Sequence, residues 1–375
     1  MSNIEYEGAI MNDWHFTRAT LAQHYLNLLD IGISSSFAIV APRRKGKTLF
    51  ILQDLAPEAQ KAGYVPVYAS LWQNINAPHT GLIQALEEAI AALDKHGAFN
   101  RLFSTKIKKT AISNDLLGKM EIEFADAPTA PANQDLAYLD QLLSQLEAKA
   151  GKKRILLLVD EVQHLATSAQ FDALTHTLRT MLDKRQGRVK SIFTGSSRHY
   201  MNLLFNESQS PFYHFVEAVP FPDLDEDFIS FLRLKLVQDQ EVTVSLPSLT
   251  RAFSSLDYSP YWMMKLVTRL ITFRSDVDDA LAHVLMLLEA AEDFEELAKR
   301  MKPIDRLIFL ALSNEDNPFS KDIFARIDRE CSVKGIPSNV QRSITRLSEY
   351  GLISQTHKGR YNIEKPGMKR YLSAS

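Results

Sequence analysis

The sequence predicts an α/β protein with a parallel sheet wrapped by crossover helices, followed by a helical segment and a small three-helix module with a two-stranded hairpin. Three observations carry this prediction. Short, almost wholly apolar runs alternate with helix-period patterns through the first two thirds of the chain. After Pro222 those runs stop and helical stripes take over. From about Pro303 a helix, helix, helix, hairpin pattern follows.

Strands are predicted over residues 36–41, 65–70, 154–159, 189–194 and 215–219. The run Ile155, Leu156, Leu157, Leu158, Val159 is apolar at every position, as expected of a central strand covered by helices on both faces. Leu82, Leu86, Ile90 and Leu93 recur at helical spacing, and a further helix is predicted over 135–150. Between them, residues 106–124 read as a β-hairpin, and 125–133, with two prolines among small residues, as a loop. Beyond Pro222, Phe228, Phe231, Leu232 and Leu236 form one apolar stripe, and Trp262, Leu266 and Leu270 another. The predicted organisation is a core over 1–221, a helical lid over 222–302 and a winged helix-turn-helix domain over 303–375.

A chain of 375 residues that is 45% hydrophobic can bury a full core. A net charge of -2 means that any affinity for nucleic acid must come from a local patch. The single cysteine, Cys331, cannot form an internal disulfide or a cysteine-based zinc site. Residues 1–8 carry Glu5 and Glu7 without an apolar core, and no apolar run approaches the roughly 18 residues of a membrane span. The expected setting is therefore the cytoplasm, without a membrane partner.

Residues 37–50 read FAIVAPRRKGKTLF, a strand, a loop and a helix start in that order, which is the grammar of a phosphate-binding P-loop. Backbone N–H groups of such a loop, spanning Pro42, Arg43, Arg44, Lys45 and Gly46, converge on phosphate oxygens at the positive end of the helix. Lys47 adds charge, and the Thr48 hydroxyl can ligate Mg2+. Ala41 replaces the first glycine of the usual GxxxxGK[ST] pattern.

Lying 113 residues after Lys47, Asp160 and Glu161 end the apolar run ILLLVDE, a Walker B pattern. Asp160 would hold Mg2+, and Glu161 would orient and deprotonate a water attacking the γ-phosphate of ATP. The next strand ends in Thr194, Gly195, Ser196 and Ser197, hydroxyls suited to sensing that phosphate; Ser196 is chosen, with Thr194 the alternative. His164 and His176 show no metal-ligand spacing, and the acidic stretch 289–296 reads as a solvated helix face.

From Lys321 onward, eleven Lys and Arg stand against five acids, a net of +6. Helices are predicted at 320–331 and 338–350, the latter closed by Gly351, and strands at 352–356 and 360–363. Arg342 and Arg346 on the third helix, with Lys358 and Arg360 on the wing, are the candidates for contact with duplex DNA; a protein-docking role for the same module stays open.

The combination APRRKGKT, ILLLVDEVQHL and IFTGSSR, followed by Ser259-Pro260 and a C-terminal winged helix, resembles the prokaryotic STAND and archaeal-ATPase clade, within or beside AAA+. The resemblance implies an ATP-driven switch or assembly platform with ATP and Mg2+ as cofactors. A homo-oligomer is one of its expected states. An alternative is a DNA-binding regulator or interaction scaffold that binds ATP without significant turnover. Relatives often carry an arginine before the last core strand, whereas this chain reads Ser210, Pro211, Phe212, Tyr213, His214, Phe215; Arg198 and Arg251 are the candidate substitutes.

Overall fold

A computed structural model describes residues 14–32, 34–94, 106, 129–357 and 359–374. Two compact units make up the chain, Met1–Asp223 and Leu224–Ser375. The predicted hairpin at 106–124 lies, apart from Lys106, outside the described residues, as does Lys358.

The first unit is built on five parallel strands, β1 (Ser36–Val40), β2 (Tyr64–Ser70), β3 (Arg154–Asp160), β4 (Val189–Gly195) and β5 (Glu217–Val219), in the spatial order β2-β3-β4-β1-β5. The alternation of side chains along each strand sends them to two faces, and both are apolar. On one face Val65, Val67, Ile155, Leu157, Val159 and Phe193 pack under α4 (Pro78–Leu93), α5 (Asn133–Ala150), α6 (Asp172–Asp183) and α7 (Arg198–Phe205). On the other, Phe37, Ile39, Tyr68, Leu156, Leu158 and Ile192 meet α1 (Ala19–Asp30) and the helix that follows β1. That helix starts as α2 (Lys47–Phe50), widens through a π turn at Ile51–Leu55 and continues as α3 (Ala56–Lys61).

The strand order matters more than the strand list. Because β4 lies between β1 and β3, Ile39 aligns with Thr194 and Val159 with Phe193, while Ser70 of β2 aligns with Asp160. The carboxyl ends of four strands thus share one edge, where the direction of strand winding reverses, the place at which open α/β sheets form ligand sites.

The second unit is helical before its terminal module: α8 (Glu226–Gln240), α9 (Leu246–Ser255), α10 (Pro260–Phe273), α11 (Val277–Ala291) and α12 (Phe294–Arg300). Ser259 caps α10 by accepting from the Trp262 N–H, with Pro260 in the first turn, where a missing N–H costs nothing. The acids of the 289–296 stretch do not all face water freely: Glu289 pairs with Arg370 and Glu292 with Lys365, while Glu295 pairs locally with Lys299.

Then come α13 (Pro303–Ser313), α14 (Lys321–Glu330) and α15 (Pro337–Glu349), the antiparallel hairpin of β6 (Ile353–His357) and β7 (Arg360–Ile363), and α16 (Gly367–Ala374). Three helices and a hairpin are the layout of a winged helix-turn-helix; α16 lies beyond the predicted pattern, anchored by the fully buried Met368. Gly351 ends α15 at a φ of 64°, a left-handed conformation that glycine adopts without Cβ strain. Gly335 has a different reason: a Cβ there would run into the backbone of Phe324.

Asp305, fully buried on α13, locks the module together. It accepts from the Ser343 hydroxyl at 2.7 Å, from Arg346 at 2.6 and 3.1 Å, and from the Lys302 backbone N–H at 3.1 Å. Replacing Asp305 with Ala would leave the buried Ser343 hydroxyl and the part-buried Arg346 without their acceptor, so Asp305→Ala is expected to lose about 3 kcal/mol of stability, read as a lower urea midpoint at unchanged slope.

Candidate functional site

At the shared sheet edge, the segment between β1 and α2 turns tightly. Gly46 sits at φ 87° and Arg44 at φ 65°, two left-handed residues that turn successive backbone N–H groups inward, the shape of an anion-binding nest. Ala41 is not among the positive-φ residues, so the position where the motif usually has glycine does not need one here. Its N–H instead donates to the Gly195 carbonyl at 3.3 Å, tying the loop to β4.

Lys47 is buried, and its ammonium donates to the carbonyls of Ala41 and Pro42 at 2.6 and 2.8 Å. Burial pushes its pKa down, while the negative charges of Glu161 and Asp160 push it back up. The other loop cations are also held. Arg43 lies over the Trp72 ring at 4.7 Å, and Lys45 pairs with Asp223 at 2.8 Å.

Asp160 is the meeting point. Its Oδ2 accepts from the Thr48 hydroxyl at 2.6 Å and the Tyr68 phenol at 3.1 Å, and its Oδ1 from the Thr194 hydroxyl and the Glu161 N–H, the latter at 3.1 Å. Glu161, at φ 58°, leaves the strand abruptly, and its carboxylate accepts from Ser196 at 2.8 Å. Desolvation and the neighbouring Asp160 raise its pKa. The arrangement places a buried cation and a tightly turned loop beside two carboxylates. Such a geometry can hold a polyanion with a hard metal ion, and one partly buried base beside them.

No protein-family model matches this chain, and no curated protein matches it. Solved structures do. A Walker-type ATPase of Pyrococcus abyssi superposes over 96% of both chains with a TM-score of 0.63 at 17% identity. The ORC2 protein of Aeropyrum pernix in its ADP form superposes over 95% of this chain and 91% of that one, with a TM-score of 0.54 at 14% identity. The same protein in ADPNP-ADP complexes gives 0.52 at 13% identity over the same shares. This chain shares their fold, a P-loop NTPase core on a parallel sheet.

In this fold, the sequence-predicted residues of the core converge: Pro42, Lys47, Thr48, Asp160, Glu161 and Ser196 occupy one edge. The choice between Ser196 and Thr194 dissolves, because each hydroxyl serves a different carboxylate: Thr194 donates to Asp160 and Ser196 to Glu161. Of the proposed finger substitutes, Arg251 pairs with Asp278 at 2.7 Å. In the second unit Arg342 is exposed on α15 and Arg360 on β7, whereas Arg346 is turned into the Asp305 cluster. Arg346 therefore fastens the helix-turn-helix core and does not offer a free guanidinium to a groove.

Sequence reasoning passed over Tyr68, Trp72 and Gln163. Tyr68 and Trp72 follow from strand pairing, since β2 runs beside β3 and ends next to Asp160. A lone aromatic on an apolar strand carries no local mark of that role. His164 is satisfied: its Nε2 bonds the Ile75 carbonyl at 2.6 Å, joining the turn after β3 to the segment after β2. Burial lowers the pKa of His164 and of His79. Both folded values lie below the ordinary 6.5, so the unfolded chain binds more protons, and these two residues reduce stability as pH falls through about 6.5. A His79→Gln, His164→Gln double variant should show a shallower drop in Tm between about pH 6.5 and 5 than the parent chain.

Proposed function

We propose that the first unit binds ATP with Mg2+ at the edge formed by Lys47, Thr48, Asp160 and Glu161, and hydrolyses its terminal phosphate. One observation carries this reading: Thr48 and Asp160, 112 residues apart in sequence, stand hydroxyl to carboxylate at 2.6 Å beside the buried Lys47. The fold's resemblance to a Walker-type ATPase and to a protein solved with ADP supports the choice of an adenine nucleotide.

The residues suit the metal. Hydroxyl and carboxylate oxygens are the donors Mg2+ prefers, and no cluster of three or more His, Cys, Asp or Glu among the described residues offers an all-protein cage. Mg2+ commonly completes its shell with water and phosphate oxygens. When bound it would be held by the Thr48 hydroxyl and the Asp160 carboxylate and would offset the charge that develops on the phosphate during transfer.

The chain's own part is positioning and proton handling. The backbone N–H groups of residues 43–46 would cradle the phosphates, and the Lys47 ammonium would exchange the carbonyls of Ala41 and Pro42 for phosphate oxygens. Glu161 would accept a proton from the attacking water, and its raised pKa brings it nearer to the range where a general base is effective. Asp160, held by Thr194 and Tyr68, keeps one orientation throughout.

In this reading the chain keeps the three parts expected from sequence, core 1–221, lid 222–302 and winged helix 303–375, and nucleotide state acts on the winged helix. The exposed Arg342, beside exposed Gln341 and Thr345 on α15, favours duplex DNA as its partner. Lys47→Ala should weaken binding of a fluorescent ATP analogue by roughly tenfold or more. Glu161→Gln should keep the affinity within about twofold while lowering phosphate release by about 100-fold or more. An unchanged affinity in the Lys47 variant refutes the site. Arg342→Ala should weaken duplex binding and reduce the slope of log K against log salt by about 1, measured by fluorescence anisotropy.

A further inference from the structure

Resting on the ATPase reading, we propose that Gln163 is a positioning residue that anchors one oxygen of Glu161 and so aims the other at the attacking water. Gln163 lies two residues beyond Glu161, in the 3-10 turn Val162–Ala166 that follows the left-handed Glu161. That reversal folds residue 163 back over residue 161.

Three features set Gln163 apart from a packing residue. It is 3% exposed, and its Nε2 donates both to Glu161 Oε2 and, at 3.2 Å, to Ser196 Oγ. Ser196 in turn donates to the same Oε2 at 2.8 Å, closing a ring of three side chains. Both donors fall on Oε2, and among the described residues none donates to Oε1. A carboxylate gripped at one oxygen cannot swing freely, and its second oxygen keeps the lone pairs a general base needs.

The second feature is that the amide is kept at a cost. Its Oε1 is buried without a partner, a loss that an apolar side chain of similar size would avoid. What the chain gains in exchange is the N–H group. The third is the room made for it. A Cβ on Gly195 would stand 2.8 Å from Gln163 Oε1 and would strike the Met201 side chain, so glycine at the end of β4 leaves the space in which the amide lies. Gly195 has no positive φ, so the space and not a backbone turn is what glycine supplies here.

The test uses the full chain and three substitutions: Gln163→Met, which keeps length and loses the donor, Glu161→Gln and Ser196→Ala. Gln163→Met should lower kcat for ATP hydrolysis by roughly 10- to 100-fold with KM and analogue affinity within about twofold of the parent. Combined with Ser196→Ala, its effect should be less than the product of the two single effects. In the Glu161→Gln background it should cause no further loss, because the oxygen it aims is gone. A kcat unchanged within twofold overturns the proposal, as does a higher kcat, which would make the ring an inhibitory latch. An equal loss of nucleotide affinity or a collapsed melting transition, repeated with Gln163→Leu, assigns Gln163 to packing and also overturns it. If the parent chain itself binds no ATP, the ATPase reading fails together with this one; if it turns over and the variant matches it, only the role of Gln163 fails.

Discussion

A carboxylate taken out of water survives in a folded chain only where donors surround it, and Asp160 has four around it. The Thr48 hydroxyl comes from the helix after β1, the Tyr68 phenol from β2, the Thr194 hydroxyl from β4 and an N–H from Glu161. The same side chain is thus the point at which four segments of the parallel sheet are held in register. A slip of one strand by one residue would turn its donor to the opposite face and leave a buried charge under-solvated. The constraint that stabilises the edge also builds the candidate site, so the geometry in which the proposed metal and phosphate would be held is supplied by the fold itself.

The electrostatics follow from that constraint. Lys47 is pressed into a dry setting that opposes its charge, and Glu161 into one that opposes its own. Each offsets part of the other's cost, and a polyphosphate with a divalent metal would change the balance at both. A site whose charges are poorly solvated interacts strongly with an incoming ion, because little water screens the pair. Tyr68, whose phenol is pushed well above its ordinary pKa by burial and by Asp160, stays a donor over the whole neutral range. The edge therefore contains one fixed donor set around Asp160 and one adjustable pair, Lys47 and Glu161.

Departures from the usual patterns have local physical reasons. Glycine is needed at the end of the loop, where Gly46 is left-handed, and not at its start, where Ala41 keeps an ordinary backbone and bonds to β4. Arg346 has the helical spacing of a groove-reading residue, yet Asp305 draws it inward, because a carboxylate with no exposed surface has lost its hydration and is stabilised by a paired cation. The acidic stretch of the second unit is similarly divided, with Glu289 and Glu292 paired to the basic residues around α16.

The sequence alone determined what short-range chemistry can write. Apolar runs announced β3 and its neighbours, Lys47 and Thr48 were legible from the strand-loop-helix order, and Asp160 and Glu161 from the end of an apolar strand. The glycine after α15 marked a helix end through a backbone preference that acts within one turn. Only the tertiary structure decided which residues from distant strands meet: Tyr68 and Thr194 on Asp160, Ser196 and Gln163 on Glu161, Arg346 on Asp305. Periodicity records which way a side chain points relative to its own element, but partners are set by strand order and register, and those are fixed by burial over separations that no local pattern spans.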